Sequence, residues 1–191
     1  GSLDARARLH RSEALPRDLC VYFAEMQRAN AARNAQLRAQ MHDVATILAP
    51  AGIHIIALKS AADVLDPIHP TAGHRYISDL DLLIPASQIT MAAQMLRAAK
   101  GLSTHNRDIL PGAHHHLAQI VHPDWLFTIE LHIRPGSDAV SRVLPPEAMI
   151  QTAQQTDIPG VFIPTREDRL LHHILHGMEL RHETVALNLR L

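Results

Sequence analysis

The sequence predicts an α+β domain, with helices at both ends and short aliphatic strands between them. Three observations carry that prediction. Apolar residues recur at helical spacing from Leu15 to Ala49, and again in "REDRLLHHILHGMEL" near the C-terminus. Between them, "IHIIAL" (53–58), "DLDLLI" (79–84) and "WLFTIELHI" (125–133) are short apolar-rich runs set off by proline and other turn formers, the pattern of strands. The 191 residues are 47% apolar but only 3% aromatic, enough for one domain whose core must be aliphatic.

Taken in order, Leu19, Tyr22, Phe23, Met26, Leu37, Met41, Val44 and Leu48 make the apolar stripe of the first helix, which "APAG" (49–52) stops. "IHIIAL" reads as a buried strand, and "KSAADVLDPIHP" as a turn and a short helix ended by proline. In the next strand side chains alternate, so Asp79 and Asp81 share one face while Leu80 and Leu82 point the other way. Carboxylates two residues apart on one face lie roughly 7 Å from each other. At an effective dielectric near 20 their repulsion is about 2–3 kcal/mol if both are ionised, so a positive group is expected between them. The competing reading is an edge strand with two solvated aspartates.

Ser87 to Ala99 is an amphipathic helix, with Ser87 the expected N-cap and Gly101 its close. "HHLAQIVHPDWLFTIELHIRP" reads as two strands joined by a turn at Pro123 and Asp124. In the second strand Trp125, Phe127, Ile129, Leu131 and Ile133 form an apolar face, opposite Leu126, Thr128, Glu130, His132 and Arg134. That mostly polar face is the strand's working side. Thr165 and Asp168 have capping-box spacing ahead of the last helix. The chain ends within what reads as a further helix, so the natural protein is expected to continue, and the opening Gly-Ser reads as a scar of tag cleavage.

Composition narrows the function classes. A formal net charge of −1 provides no basic footprint for bulk nucleic-acid binding. The single cysteine, Cys20, cannot form an internal disulfide. No apolar run approaches the ~20 residues of a membrane span, and no secretory signal precedes residue 20. A cytoplasmic location is expected, with no membrane partner. Only Lys59 and Lys100 are lysines among 18 basic residues, which arginine-rich codon usage explains adequately. His172 and His176 lie four apart on a helix, and His114 and His116 share a strand face. Neither pair has an accompanying zinc-site spacing, so a dedicated zinc site is not expected.

The ordered set "ALKSAADVL", "RYISDLDLLI" and "HHHLAQIVHPDWLFTIELHI", followed by "REDRLLHHILHG", resembles the nucleotidyltransferase superfamily typified by DNA polymerase beta. It is closer to a bacterial branch whose members read roughly "LLKG", then "R…DIDLLV", then "H…VELH". The resemblance covers about residues 40–190. It implies a nucleotidyltransferase fold, a small mixed β-sheet flanked by helices. The expected organisation is an N-terminal helical segment (1–50), a nucleotidyltransferase core (51–135) and a truncated C-terminal helical segment (136–191).

The implied activity is Mg²⁺-dependent transfer of a nucleoside monophosphate from a nucleoside triphosphate to an acceptor hydroxyl, releasing pyrophosphate. Two Mg²⁺ ions are expected, screening and orienting the phosphates. Asp79, Asp81 and Glu130 are then the catalytic carboxylates and the metal ligands, with Glu130 nearest the acceptor oxygen. Lys59, Ser60 and Ala61, at the strand-to-helix turn, and Arg75 are the implied nucleotide-binding residues. His132 and Arg134 are further candidates. Each has a plainer reading: Lys59 as a strand-end residue reaching solvent, Arg75 and Arg134 as surface salt bridges, His132 as a hydrogen-bonded structural histidine.

Ser60 departs from the family, which has glycine there so that the backbone can approach the triphosphate. That departure supports an alternative, a non-catalytic relative that binds nucleotide or a partner. A third reading keeps the chemistry and changes the acceptor: a toxin–antitoxin or biosynthetic-cluster component modifying a protein or RNA. The acceptor, whether small molecule, protein or RNA, is not named by the sequence.

Overall fold

The structure is a computed structural model that describes residues 16–67, 73, 75–99, 102–103 and 119–179. Among the described residues seven strands form one mixed sheet: β1 (Ile55–Ala57), β2 (Asp79–Leu83), β3 (Leu102–Ser103), β4 (Ile120–Val121), β5 (Thr128–His132), β6 (Gln154–Gln155) and β7 (Val161–Ile163). Their spatial order is β3-β4-β5-β2-β1-β7-β6. Six α-helices are described: α1 (Arg17–Leu48), α2 (Lys59–Leu65), α3 (Ile89–Ala98), α4 (Asp138–Val143), α5 (Pro146–Thr152) and α6 (Arg166–Glu179). This is the α+β nucleotidyltransferase fold that the sequence predicts. The segment after residue 135, expected to be helical, also contributes β6 and β7 to the sheet.

β2 sits in the middle, parallel to β5 on one side and antiparallel to β1 on the other. It is therefore not an edge strand, and the solvated-aspartate reading fails for Asp81, which is buried. Alternation assigns each strand two apolar duties. Leu80, Leu82, Ile129 and Leu131 join Leu37, Met41, Val44 and Leu48 of α1 and Ala92 and Leu96 of α3 in the main core. Each fully buried leucine or isoleucine there contributes about 1.5–3 kcal/mol. On the opposite face Ile56, Leu58 and Leu83 pack with Leu144 and Met149, against which Leu171 and Leu175 of α6 lie. The C-terminal helices thus cover one end of the second face and leave the other end to polar residues.

α1 differs from the expected uniform stripe. Leu19, Tyr22 and Met26 are exposed, and burial begins only at Asn30. From there the helix presents amides as well as apolar groups. Asn30 Nδ2 donates to the carbonyls of Gly73 (2.9 Å) and Arg75 (2.6 Å), and Asn34 Nδ2 to Arg75 (3.0 Å). Gln40 brackets Phe127, donating to its carbonyl at 2.7 Å and accepting its N–H at 3.1 Å. These bonds satisfy buried backbone groups just before β2 and β5, where no strand partner would. Gly73 permits the approach, since a Cβ there would stand 2.3 Å from Gln27 O. α1 ends in a 3₁₀ turn (Ala49–Ala51) and Gly52 at φ 64°, as "APAG" predicts.

Local signals fared unevenly. The turn at Pro123 and Asp124 joins antiparallel β4 and β5, and Thr165 Oγ1 accepts the Asp168 N–H at 3.2 Å as the N-cap of α6. Ser87 is not the N-cap of α3. It lies inside a turn, the helix begins at Ile89, and Gln88 occupies the cap position without a side-chain bond. Gly101, His114 and His116 lie outside the described residues.

Candidate active site

The parallel β2–β5 ladder sets the geometry. Asp79 pairs with Thr128, Asp81 with Glu130 and Leu83 with His132. Pairing in this register turns all of these side chains to one face, so two carboxylates from β2 meet Glu130 and His132 from β5. Asp81, Glu130 and His132 each bring a ligand-type atom within 4.8 Å of the other two. Among the described residues they are the one such grouping. Asp79 stands just outside it, accepting from Ser78 Oγ at 2.9 Å.

The positive group demanded by the aspartates comes from the chain itself. Lys59 Nζ lies 2.8 Å from Asp81 Oδ1, and His132 Nε2 lies 2.7 Å from the same oxygen. Lys59 is therefore not a solvent-reaching strand end; its side chain is 17% exposed and ion-paired. Glu130 accepts from Gln119 Nε2 at 2.6 Å and lies 3.6 Å from His132 Nε2.

These contacts sort the charges. Burial by itself would raise the Asp81 carboxyl, but the His132 hydrogen bond and the Lys59 ammonium outweigh it and hold it well below the usual range. Asp79 is pushed up, first by burial and then by the charge of Asp81. Burial would lower His132, but its bonds to Asp81 and Glu130 raise it above the ordinary imidazole value.

The other sequence-predicted residues divide. Ser60 is half-buried in the first turn of α2, beside Lys59. The left-handed backbone of that turn belongs to Lys59 at φ 48°, not to Ser60. Ala61 is buried in the main core and its N–H already donates to Leu58 O at 3.0 Å. Arg75 binds Asp63, and Arg134 binds Asp138.

Sequence reasoning missed a second charge cluster behind the turn. Asp63, buried on α2, receives Arg75 and, from α6, Arg169 Nη2 at 2.9 Å, with His173 Nε2 3.4 Å away. Arg169 is buried as well, and its Nη1 reaches Asp66 Oδ2 at 2.7 Å, where Arg166 also binds. Burial would raise Asp63; His173, Arg169 and Arg75 together bring it below the usual range. The signal lay in "REDR", two arginines three apart at the start of an amphipathic helix, and in the two aspartates of "AADVLD". His172, considered with His176 for a metal, instead places Nε2 2.8 Å from Pro135 O.

The fold and this face together define the nucleotidyltransferase class: a mixed sheet whose central parallel strands carry facing carboxylates next to a strand-to-helix turn. The chain belongs to the family described as uncharacterised nucleotidyltransferase, whose pattern matches residues 3–191. No curated protein matches the chain. Among the described residues no helix is long and apolar enough to cross a membrane.

Proposed function

We propose that this protein transfers a nucleoside monophosphate from a nucleoside triphosphate to an acceptor hydroxyl, with a divalent ion, Mg²⁺ by expectation, at the carboxylates. The observation that supports this most directly is the in-register pairing of Asp81 with Glu130 across two parallel central strands, with Asp79 beside them. The donor set fits a hard cation, since carboxylate oxygens predominate and His132 adds a single nitrogen. Asp81 and Glu130 would hold the ion, joined by Asp79 or His132. When bound, it supplies charge neutralisation of the triphosphate and a more nucleophilic acceptor oxygen.

The chain's own residues account for the rest. Lys59 and Ser60 lie at the turn where the resemblance expects the phosphates, and Lys59 offers an ammonium to them. Arg75, bound to Asp63, braces α2. Gln119 fixes the Glu130 carboxylate so that its second oxygen faces the shared site. In the reaction a bond forms from the acceptor oxygen to the α-phosphorus and the bond to the pyrophosphate oxygen breaks. The acceptor's proton leaves to a carboxylate or to solvent. Glu130, nearest the acceptor by resemblance, is the carboxylate assigned to that end.

The test is incubation with each radiolabelled triphosphate and Mg²⁺ in cell lysate, with an Asp81→Asn control. Label on a macromolecule or metabolite that the control lacks supports the reading. Triphosphate binding with no transfer to any acceptor favours the non-catalytic alternative. Ser60 at the glycine position and an ammonium already seated on Asp81 are the observations on its side.

A further inference from the structure

Lys59 combines two independent oddities. Its backbone sits at φ 48°, and among the described residues it is the one non-glycine in the left-handed region, which glycine enters freely and a side chain resists. Its ammonium ends on Asp81 Oδ1, the oxygen that His132 also approaches. Glycine at this position would relax the backbone. Lysine accepts the strain and delivers a cation into a nest of carboxylates.

We propose that Lys59 is a resident counter-cation of the carboxylate site, one that a divalent ion displaces. The proposal rests on the reading of Asp79, Asp81 and Glu130 as an ion-binding centre and adds how that centre is kept stable and how it opens. Three carboxylates on facing strands repel each other unless a positive charge stands among them. Lys59 supplies that charge in the metal-free protein. An ammonium and a dication on one buried carboxylate repel each other strongly, so the two compete for Asp81.

The two donors on Asp81 differ in their freedom to move. His132 is fully buried within β5, whereas Lys59 hangs on a four-carbon stem with part of its side chain exposed. Lys59 is the one that withdraws. Its turn is where the resemblance expects the triphosphate, so ion binding converts it from the partner of Asp81 into a cation available to phosphate. The divalent ion and the triphosphate are thereby coupled through one side chain.

Calorimetric titration with Mn²⁺ alone, without nucleotide, tests this on wild type, Lys59→Met and Lys59→Arg. The methionine variant should bind Mn²⁺ at least about tenfold more tightly, because the internal competitor that taxes the wild type is gone. The arginine variant, still charged, should not gain. A second readout leaves Lys59 itself unchanged. The chain has only two lysines, Lys59 and Lys100, so ¹³C-lysine labelling with a Lys100→Arg comparison assigns the Lys59 side chain. Adding Mg²⁺ should move its signals to those of a mobile, solvated lysine.

Unmoved Lys59 signals at saturating Mg²⁺, with Mn²⁺ affinity unchanged in Lys59→Met, would overturn the counter-cation role while leaving the nucleotidyl transfer reading intact. No divalent-ion binding by wild type or by Lys59→Met would overturn both. Tighter Mn²⁺ binding and a released Lys59, without transfer from any triphosphate, would uphold the counter-cation and defeat the enzymatic reading.

Discussion

Asp79 and Asp81 project from the same face of β2 two residues apart, and their surroundings drive them in opposite directions. Asp79 is held above the ordinary carboxylate range, by burial and by the charge of Asp81. Asp81 is held below it, because His132 and Lys59 overcome the cost of its burial. One residue bears the repulsion of the pair and the other receives the compensation.

Single substitutions should therefore diverge. From sequence, removing both charges looks neutral or stabilising, since repulsion goes with them. The contacts of Asp81 reverse that for one member. A raised carboxylate destabilises the fold as pH rises through its folded value, so Asp79→Asn at neutral pH should hold or raise the melting temperature. Asp81→Asn strips Lys59 and His132 of their shared anion and should cost several kcal/mol, on the order of 3. Urea unfolding of the three proteins in chelator reads both signs. An Asp81→Asn protein as stable as wild type would show that the Lys59 pair contributes nothing.

Glu130→Gln should act on chemistry more than on binding. The amide keeps the size of Glu130 and can still meet Gln119, so the fold should persist. An interaction made mainly in the transition state would be lost, lowering turnover by about a hundredfold or more with little change in triphosphate affinity. Melting temperature, ATP affinity and turnover on one preparation separate this from a structural role, in which activity would track the folded fraction.

The carboxylate face was legible because strand periodicity is local. Five alternating apolar residues from Trp125 to Ile133 force Glu130 and His132 to the other side, and two leucines do the same for Asp79 and Asp81. The turn chemistry was half legible: "LKSA" marked the place, but a lysine at a strand end reads equally as solvated or paired. What decided it was His132 and Asp81 converging from strands about fifty residues apart. The Asp63–Arg169 contact spans 106 residues and leaves no periodic trace. Likewise Asn30, Asn34 and Gln40 lie on the buried stripe of Leu37, Met41 and Val44, and nothing local in the sequence marks the distant backbone groups they bind. Ser87 misled because cap preference says nothing about a turn that runs one residue further.

The Asp63–Arg169 pair makes its own prediction. Both side chains are buried, and they join α2, which begins at Lys59, to α6. Arg169→Met leaves Asp63 short of its buried partner and should cost about 3–5 kcal/mol. Adding Asp63→Asn should recover part of that loss, as the buried carboxylate is then left with Arg75 and His173 alone to offset its desolvation. A double-mutant cycle by denaturant unfolding measures the coupling. Strict additivity would mean that the pair does not act as a unit.

His172 should set the acid sensitivity of the fold. It is buried on α6, and its Nε2 faces the Pro135 carbonyl at 2.8 Å. A carbonyl only accepts, so Nε2 carries the proton and Nδ1 does not in the neutral ring. Burial first, and the Lys59 charge second, disfavour the imidazolium, lowering its pKa to about 4 although the Pro135 bond opposes the shift. In the unfolded chain the value returns to about 6.5. Because the folded value is the lower one, the contribution of His172 is fully present above about 6.5 and lost as pH falls toward 4. At about 1.4 kcal/mol per pKa unit, the whole window amounts to about 3 kcal/mol. His132 works in the opposite sense. Its folded value is raised, so its contribution is complete below about 6.5 and lost as pH climbs through the folded value. The lowered carboxylates Asp63 and Asp81 lose theirs only below about 3.8, beneath the His172 window. Asp79, raised, gains stability on acidification and partly masks the loss. Comparing wild type with His172→Gln cancels these shared contributions, since glutamine keeps an N–H for Pro135 and does not titrate. Unfolding free energies measured in steps between about pH 7 and 4.5 should fall more steeply for wild type, by about 1.4 kcal/mol per unit once His172 is the residue responding. Parallel curves would mean that the folded protein accommodates a charged ring at this position, and the burial argument for His172 would fail.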